Sequence, residues 1–529
     1  MTRAKVNSIF WQPLDNKERR LTTTRGTPAL PTVEALAGDL PLGRRIANYF
    51  RERIVSGEYP PGCRLPTVRT VAERLGTTAE TVAAAYRLLS RQGLLRTRAG
   101  AGTFVQQGAP PGAGSAMAAG PSGEAGRKRL PLVPTLTTPS FHETYRRLLQ
   151  TDRGLSFAGF GRYVAAPELA PTGIDRLLRA HVRQGVSQAL QIGPPEGDPG
   201  LRTLVTGLAG VDTVVNPKQV LVTNGAQEAL SLAFRALVAP GDAVAVESPT
   251  YLGALETLAT LGARVIGIPM HPDGLDLAEL ETVIARSAPR VLYTMPSFQN
   301  PTGYTMSHAK RRRLLLLARR HGIVVIEDAA AADLAYDGPP PPALLAHGGD
   351  GAVVHVGSFS KTLLSGIRVG YLIAPEGLVE PLLRLKYVTN VHTPLLPQRL
   401  VYGLVSGQRH ARHLRRVRAE YRARRDAMVD ALGREVGGVA TWVTPAGGFS
   451  VWVTLPRDVD AAELFRLAID RGVSFVPGAV FFPSDLRHNT LRLCFSVLAP
   501  AAIARGVRLL AEAVTELLGR RTRHVPFTP

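Results

Sequence analysis

Apolar positions along residues 41–55, PLGRRIANYFRERIV, recur at helical spacing and put Leu42, Ile46, Ala47, Phe50 and Ile54 on one face. A Gly/Pro turn, SGEYPPGCRLP, separates this helix from a shorter one, VRTVAERLG, which Thr67 caps and Gly76 closes. Thr77 and Thr78 open a third helix, AETVAAAYRLLSRQG, closed by Gly93, and LLRTRAGAGTFV then reads as two short strands around a glycine turn. Helix, turn, helix and β-wing in that order predict a winged helix-turn-helix. The texture then changes. Residues 106–135 are dominated by Gly, Ala, Pro and Ser and read as a linker. From about residue 150, apolar runs at 243–247, 263–268, 291–295, 323–327, 353–357 and 369–374 alternate with helical patterns, which predicts an α/β domain on a mostly parallel sheet. After about 407 a long Arg-rich helix leads to TWVTP and FSVWVTLP, a hairpin-like pair. A helix, the strand LRLCFSVL and a closing helix then complete a smaller α+β unit. The expected division is an extension at 1–38, the winged unit at 39–105, a linker at 106–149, the α/β body at 150–518 and a tail at 519–529.

Composition adds a partner. The chain of 529 residues carries a net charge of +21, and residues 1–105 hold 17 Lys/Arg against 8 Asp/Glu. The basic excess is thus about three times denser there than in the remainder, which favours nucleic acid over a merely Arg-rich composition, and the winged helix-turn-helix makes that partner double-stranded DNA. No run reaches the ~18 apolar residues that span a bilayer, and the first residues lack a signal-peptide core, so a cytoplasmic protein with no membrane partner is expected. Cys63 and Cys494 lie far apart and form no metal or redox motif.

The chemistry concentrates in the body. In GSFSKTLLSGIRVGY, 357–371, Lys361 supplies an amine beside Ser358, Ser360 and Arg368, a set suited to a phosphate. TNGAQEAL starts a helix after a strand, so the N–H groups of Gly225, Ala226 and Gln227 can hold a phosphate at its N-terminus. Tyr251 lies just beyond a strand, where its ring can stack on a flat cofactor, and Asn300 sits in a Pro-held turn. IVVIED ends an apolar strand on Asp328, a carboxylate that is costly there without a cationic partner such as a protonated pyridine nitrogen.

PGCRLPTVRTVAERLG, TTAETVAAAYRLLSRQGLL and RAGAGTFV, in that order, resemble the GntR family of bacterial regulators over about 65 residues. The resemblance implies that Arg64 and Arg69 hold DNA phosphates, that Thr78 and Thr81 meet the backbone, and that Gly100 and Gly102 let the wing approach the minor groove. Ala79, Glu80 and Ala83 stand where the family often carries arginine, so direct guanine readout is thin. Residues 155–515 resemble the fold-type-I aminotransferases, which implies a large domain on a mostly parallel, seven-stranded sheet. That resemblance implies pyridoxal 5′-phosphate in aldimine linkage to Lys361, Asp328 on the pyridine nitrogen, Asn300 on the ring hydroxyl, Tyr251 stacked on the ring, and Arg492 gripping a ligand α-carboxylate. The combination is similar to the MocR/GabR-type regulators, which implies a head-to-tail homodimer.

Three features depart from that pattern. Ala330 and Ala331 fall where the group has a tyrosine, Ile192 stands where a tyrosine commonly precedes GxxxG, and Ser365 replaces a proline. The first two changes are expected to impair catalysis while leaving the cofactor bound. A regulator sensing an amino compound, or the cofactor itself, is therefore expected, with an active aminotransferase carrying a vestigial reader as the alternative.

Overall fold

The computed structural model describes residues 42–55, 58–60, 62–91, 94–98, 102–106, 158–183, 186–208, 215–348, 351–484 and 487–522. The chain divides into two compact units, residues 1–137 and 138–529.

In the first unit, helices α1 (Leu42–Val55), α2 (Val68–Leu75) and α3 (Ala79–Arg91) precede strands β1 (Leu95–Arg98) and β2 (Gly102–Val105), which pair antiparallel. The helical stripe closes on itself: Ile46, Ala47 and Phe50 are buried against Val71, Val82 and Leu89. Phe50 meets the edges of Tyr49, Tyr59 and Tyr86, and the Tyr86 hydroxyl donates to Pro66 O at 2.8 Å, pinning α3 to the loop before α2. Thr67 Oγ1 accepts from Thr70 N at 3.2 Å, and Gly76 ends α2 at φ 61°, a left-handed conformation that glycine adopts without strain. Gly93 and Gly100 lie outside the described residues.

The second unit is built on an eight-stranded sheet. Its strands are β4 (Val220–Thr223), β5 (Ala243–Ser248), β6 (Arg264–His271), β7 (Gly274–Leu275), β8 (Val291–Thr294), β9 (Val324–Asp328), β10 (Val353–Ser358) and β11 (Gly370–Ile373). The order is β4-β11-β10-β9-β8-β5-β6-β7; β6, β5, β8, β9 and β10 run parallel, whereas β11 is antiparallel to both neighbours. Seven strands match the expectation, and the two-residue β7 is the addition. Both faces are covered: Val222, Ala245, Leu292, Val325 and Val353 face one apolar layer, and Leu221, Val244, Tyr293, Ile326 and Val354 face the other.

The smaller subdomain carries β12 (Thr441–Trp442), β13 (Ser450–Thr454), β15 (Val476–Pro477) and β16 (Thr490–Cys494) in the order β12-β13-β16-β15. The long helix Gln408–Val436 and the closing helix Pro500–Thr522 pack beside it. Chain order alone did not reveal one member. The strand β3 (Ala158–Gly159) pairs parallel with β14 (Val473–Ser474), and Phe160, Ala166 and Leu169 are buried in the same core as Val417, Phe449 and Val507. The subdomain that the sequence starts near 407 thus includes a strap from residues 158–169.

Candidate cofactor and ligand site

The site lies beyond the C-terminal ends of the parallel strands, where α/β sheets open a crevice. Strand β9 ends on Asp328, which is 3% exposed and accepts hydrogen bonds from Ala330 N at 3.0 Å and the Tyr293 hydroxyl at 2.9 Å. Burial raises its pKa despite those two donors and the nearby Lys361. A carboxylate so desolvated calls for a cation. Tyr293 carried no sequence signal, because in a buried strand it reads as core.

Strand β10 ends on Ser358, whose Oγ accepts from Ser360 N at 3.2 Å. The loop then presents Lys361. Burial lowers its pKa from an ordinary 10.5 to about 8, with Arg492 and Arg368 adding to that effect, while Asp328 opposes it. Its Nζ donates to Tyr163 O at 2.7 Å. Arg368 reaches Ser360 Oγ at 3.4 Å through Nη1 and Asn224 O at 3.2 Å through Nη2. Gly225, at φ 82°, precedes the helix Ala226–Leu237, and a Cβ there would lie 2.5 Å from Arg368 Nη2. The absence of a side chain at 225 therefore leaves a cradle beside the guanidinium. Gly225 N itself donates to Thr223 O at 2.8 Å, so of the three expected amides those of Ala226 and Gln227 are left at the helix start.

Tyr251 caps the helix Leu252–Thr260, and its hydroxyl donates to Gln227 Oε1 at 3.0 Å. Gln227 also reaches Thr257 Oγ1 at 3.1 Å, so its side chain positions the Tyr251 ring. Arg492 is 7% exposed; Nη1 donates to Asn300 Oδ1 at 2.9 Å and Nη2 to Gly161 O at 3.0 Å. Its buried Nε has no hydrogen-bond partner among the described residues.

The three departures fare differently. Ile192 is 80% exposed in the single chain. Ala331 is buried, and Ala330 contributes its N–H to Asp328. Ser365 is structural: its Oγ donates to Ser360 O at 3.2 Å and accepts from Ala165 N at 2.9 Å, which ties the Lys361 loop to the strap.

In the first unit Arg64, Arg69 and Thr78 are exposed, and Thr81 and Gly102 are half-buried. Gly102, at φ 114°, has no side chain to block Arg64, whose Nε would lie 2.7 Å from a Cβ there. Arg69 pairs with Glu73 at 3.0 Å on the same helix, and Thr78 Oγ1 caps α3 by accepting from Thr81 N at 3.3 Å.

Sheet order, strand-end carboxylate and half-buried lysine define an aminotransferase-type body. Residues 172–510 match the aminotransferase class I and II family, and residues 42–105 match the gntR family of bacterial regulatory proteins. The chain belongs to the MocR/GabR-type regulators, in which a DNA-binding GntR-type winged helix precedes an aminotransferase-like body. It is 31% identical over 486 residues to the HTH-type transcriptional regulator YisV of Bacillus subtilis, covering 91% of this chain and 97% of that one. Over 379 residues it is 38% identical to a 2-aminoadipate transaminase of Thermus thermophilus, covering 71% of this chain and 94% of the transaminase. The crystal structure of LysN, the α-aminoadipate aminotransferase of Thermus thermophilus, superposes with a TM-score of 0.67 at 38% identity, over 71% of this chain and 95% of LysN. The cofactor of this body is pyridoxal 5′-phosphate. The residues fit it: a desolvated amine, a buried carboxylate and a side-chain-free cradle beside an arginine are the three features such a group requires. Among the described residues no helix is long and apolar enough to cross a membrane.

Proposed function

We propose that this regulator senses an amino compound, or pyridoxal phosphate itself, at Lys361 and reports occupancy to the DNA reader. Lys361 takes the cofactor's aldehyde; Ser358, Ser360, Arg368 and the amides of Ala226 and Gln227, with Gly225 as the open cradle, take its phosphate. Asp328 holds the ring nitrogen's proton, Asn300 the ring hydroxyl, and Tyr251 covers the ring. When bound, the cofactor supplies an electrophile that captures amines and a ring that withdraws electrons. Arg492 receives the ligand's carboxylate. Arg64, Arg69, Thr78, Thr81, Gly100 and Gly102 form the contact surface for the operator backbone.

The observation that carries this reading is the Lys361 amine, whose pKa burial brings to about 8 beside the desolvated Asp328. A ligand shifts regulation only by binding two states of the protein unequally. We place those states in a head-to-tail homodimer in the cytoplasm, bound to a two-site operator. Leu190, Ile192 and Val388, which stand 68, 80 and 73% exposed, offer apolar surface to a second copy.

The test is spectroscopic. The purified protein should absorb in the visible, Lys361→Ala should not, and an amino compound that shifts the absorbance should change operator affinity. Retention of a borohydride-reducible adduct in Lys361→Ala would remove Lys361 from the assignment.

A second reading, a working aminotransferase, is favoured by the body's higher identity to a transaminase (38%) than the whole chain's to the regulator YisV (31%). Incubation with amino acids and 2-oxoglutarate separates the two. Sustained turnover at ~1 s⁻¹ or faster, an ordinary enzyme rate, would promote the enzyme reading.

A further inference from the structure

Strap residues 158–166 are fastened to the site along their length. Cys494 N donates to Phe160 O at 2.8 Å, and Arg492 and Lys361 donate to the carbonyls of Gly161 and Tyr163. Ala165 N donates to Ser365 Oγ at 2.9 Å, and Ala166 N donates to the Tyr421 hydroxyl at 3.0 Å. The backbone at Tyr163 is therefore fixed from both sides.

The side chain is fixed as well. Its ring packs edge-on against Phe449 at 5.4 Å between centroids. The same ring lies 4.7 Å from Lys361 Nζ and 5.3 Å from Arg492 Cζ. An amino acid that spans the amine and the guanidinium must run along this ring. At its end is a buried hydroxyl with no hydrogen-bond partner among the described residues. Buried hydroxyls are nearly always paired, so an unpaired one on a ring that lies beside both the amine and the guanidinium points to a group that arrives with the ligand. Burial raises the phenol's pKa, and the Arg492 and Asp328 charges act on it, so it remains a protonated donor inside the site.

We infer that Tyr163 is a ligand-contacting, specificity-determining residue: its ring walls the slot between Lys361 and Arg492, and its hydroxyl donates to the carboxylate of an α-amino acid held there. The inference rests on the ligand-site reading above. A fixed aromatic wall favours small side chains.

The test uses the full-length protein loaded with pyridoxal phosphate and a panel of L-amino acids from alanine to tryptophan. Affinity is read by cofactor absorbance and by calorimetry. Tyr163→Phe keeps the ring and should weaken the best ligand ten- to a hundredfold, as expected for losing a hydrogen bond to a charged group, with cofactor absorbance unchanged. Tyr163→Ala should shift preference toward larger side chains by tenfold or more. Unchanged affinity in the first variant together with unchanged preference in the second would reduce Tyr163 to packing and overturn the inference alone. Failure of the unaltered protein to take up the cofactor, or to respond to any amino acid, would overturn the ligand-site reading and this inference with it.

Discussion

The reader and the body both place arginine where an anion is expected, and they keep it in opposite states. Arg69 is 88% exposed and leans on Glu73, itself 66% exposed, within one helix. Such a pair is worth ~0–1 kcal/mol, so exchanging Glu73 for a phosphate costs little and fixes little. Arg492 is buried and held by Asn300 and Gly161 before any ligand arrives. Its geometry is set in advance, and an oxyanion that meets it gains charge-assisted bonds in a low-dielectric pocket. On the proposed function, one surface suits a long, uniform, salt-sensitive polyanion and the other one small molecule.

The largest expected effect lies on the buried side. Asp328→Ala leaves the cofactor's ring nitrogen without its carboxylate. Breaking a buried charge pair costs about 3–5 kcal/mol, roughly a hundred- to several thousandfold in affinity. Titration of the cofactor-free variant with pyridoxal phosphate measures this directly. A loss of less than fivefold would show that Asp328 does not face the ring.

Next in size is a pH effect on cofactor capture. Burial lowers the Lys361 pKa to about 8 in the folded chain, so the neutral, nucleophilic amine grows about tenfold per pH unit below 8 and saturates above it. The rate of cofactor uptake by cofactor-free protein should follow that curve, and a midpoint near 10.5 would contradict it. The stability consequence has a fixed sign. Between about 8 and 10.5 the unfolded chain binds the proton that the folded chain has released, so this group makes the cofactor-free protein more stable as pH rises through that window.

The smallest effects belong to the reader. Arg69→Ala should weaken binding to all duplexes alike and lower the salt slope by about one unit. Glu73→Ala, which frees Arg69, should strengthen binding by a few-fold at low salt and less at high salt. Loss confined to one operator sequence in Arg69→Ala would make Arg69 a base reader, and the two regions would then be more alike than they look.

Legibility in the sequence followed the range of the interactions. The reader could be read almost residue by residue, because Thr67, Gly76 and the Ile46/Phe50 stripe act on neighbours a few positions away. Lys361, Asp328 and Asn300 stood out as candidates because each lies at or just after the end of a strand. Tyr163 could not. Its position depends on β3 meeting β14 some three hundred residues later, and a lone tyrosine in GRYVAA carries no local signal. The basic helix 408–425 was legible only as charge. In the structure Arg424 is turned inward to Ser496 O and Glu168, and Arg425 to Pro445 O and Asp337, so part of that charge holds the subdomain to its neighbours.

The strap also sets an order of events during synthesis. Among the described residues, the apolar core and wing pairing of the reader lie within 42–106, so that unit can fold while the ribosome is still translating the body. Residues 158–166 leave the ribosome next and must wait: their partners are Ser474, Cys494 and the closing helix, where Gly506 leaves room for Ala158 and Phe160. A nascent chain that stops short of residue 490 therefore carries a finished DNA-binding unit and an unfinished ligand pocket. Early termination would leave a fragment that occupies DNA without answering to any small molecule.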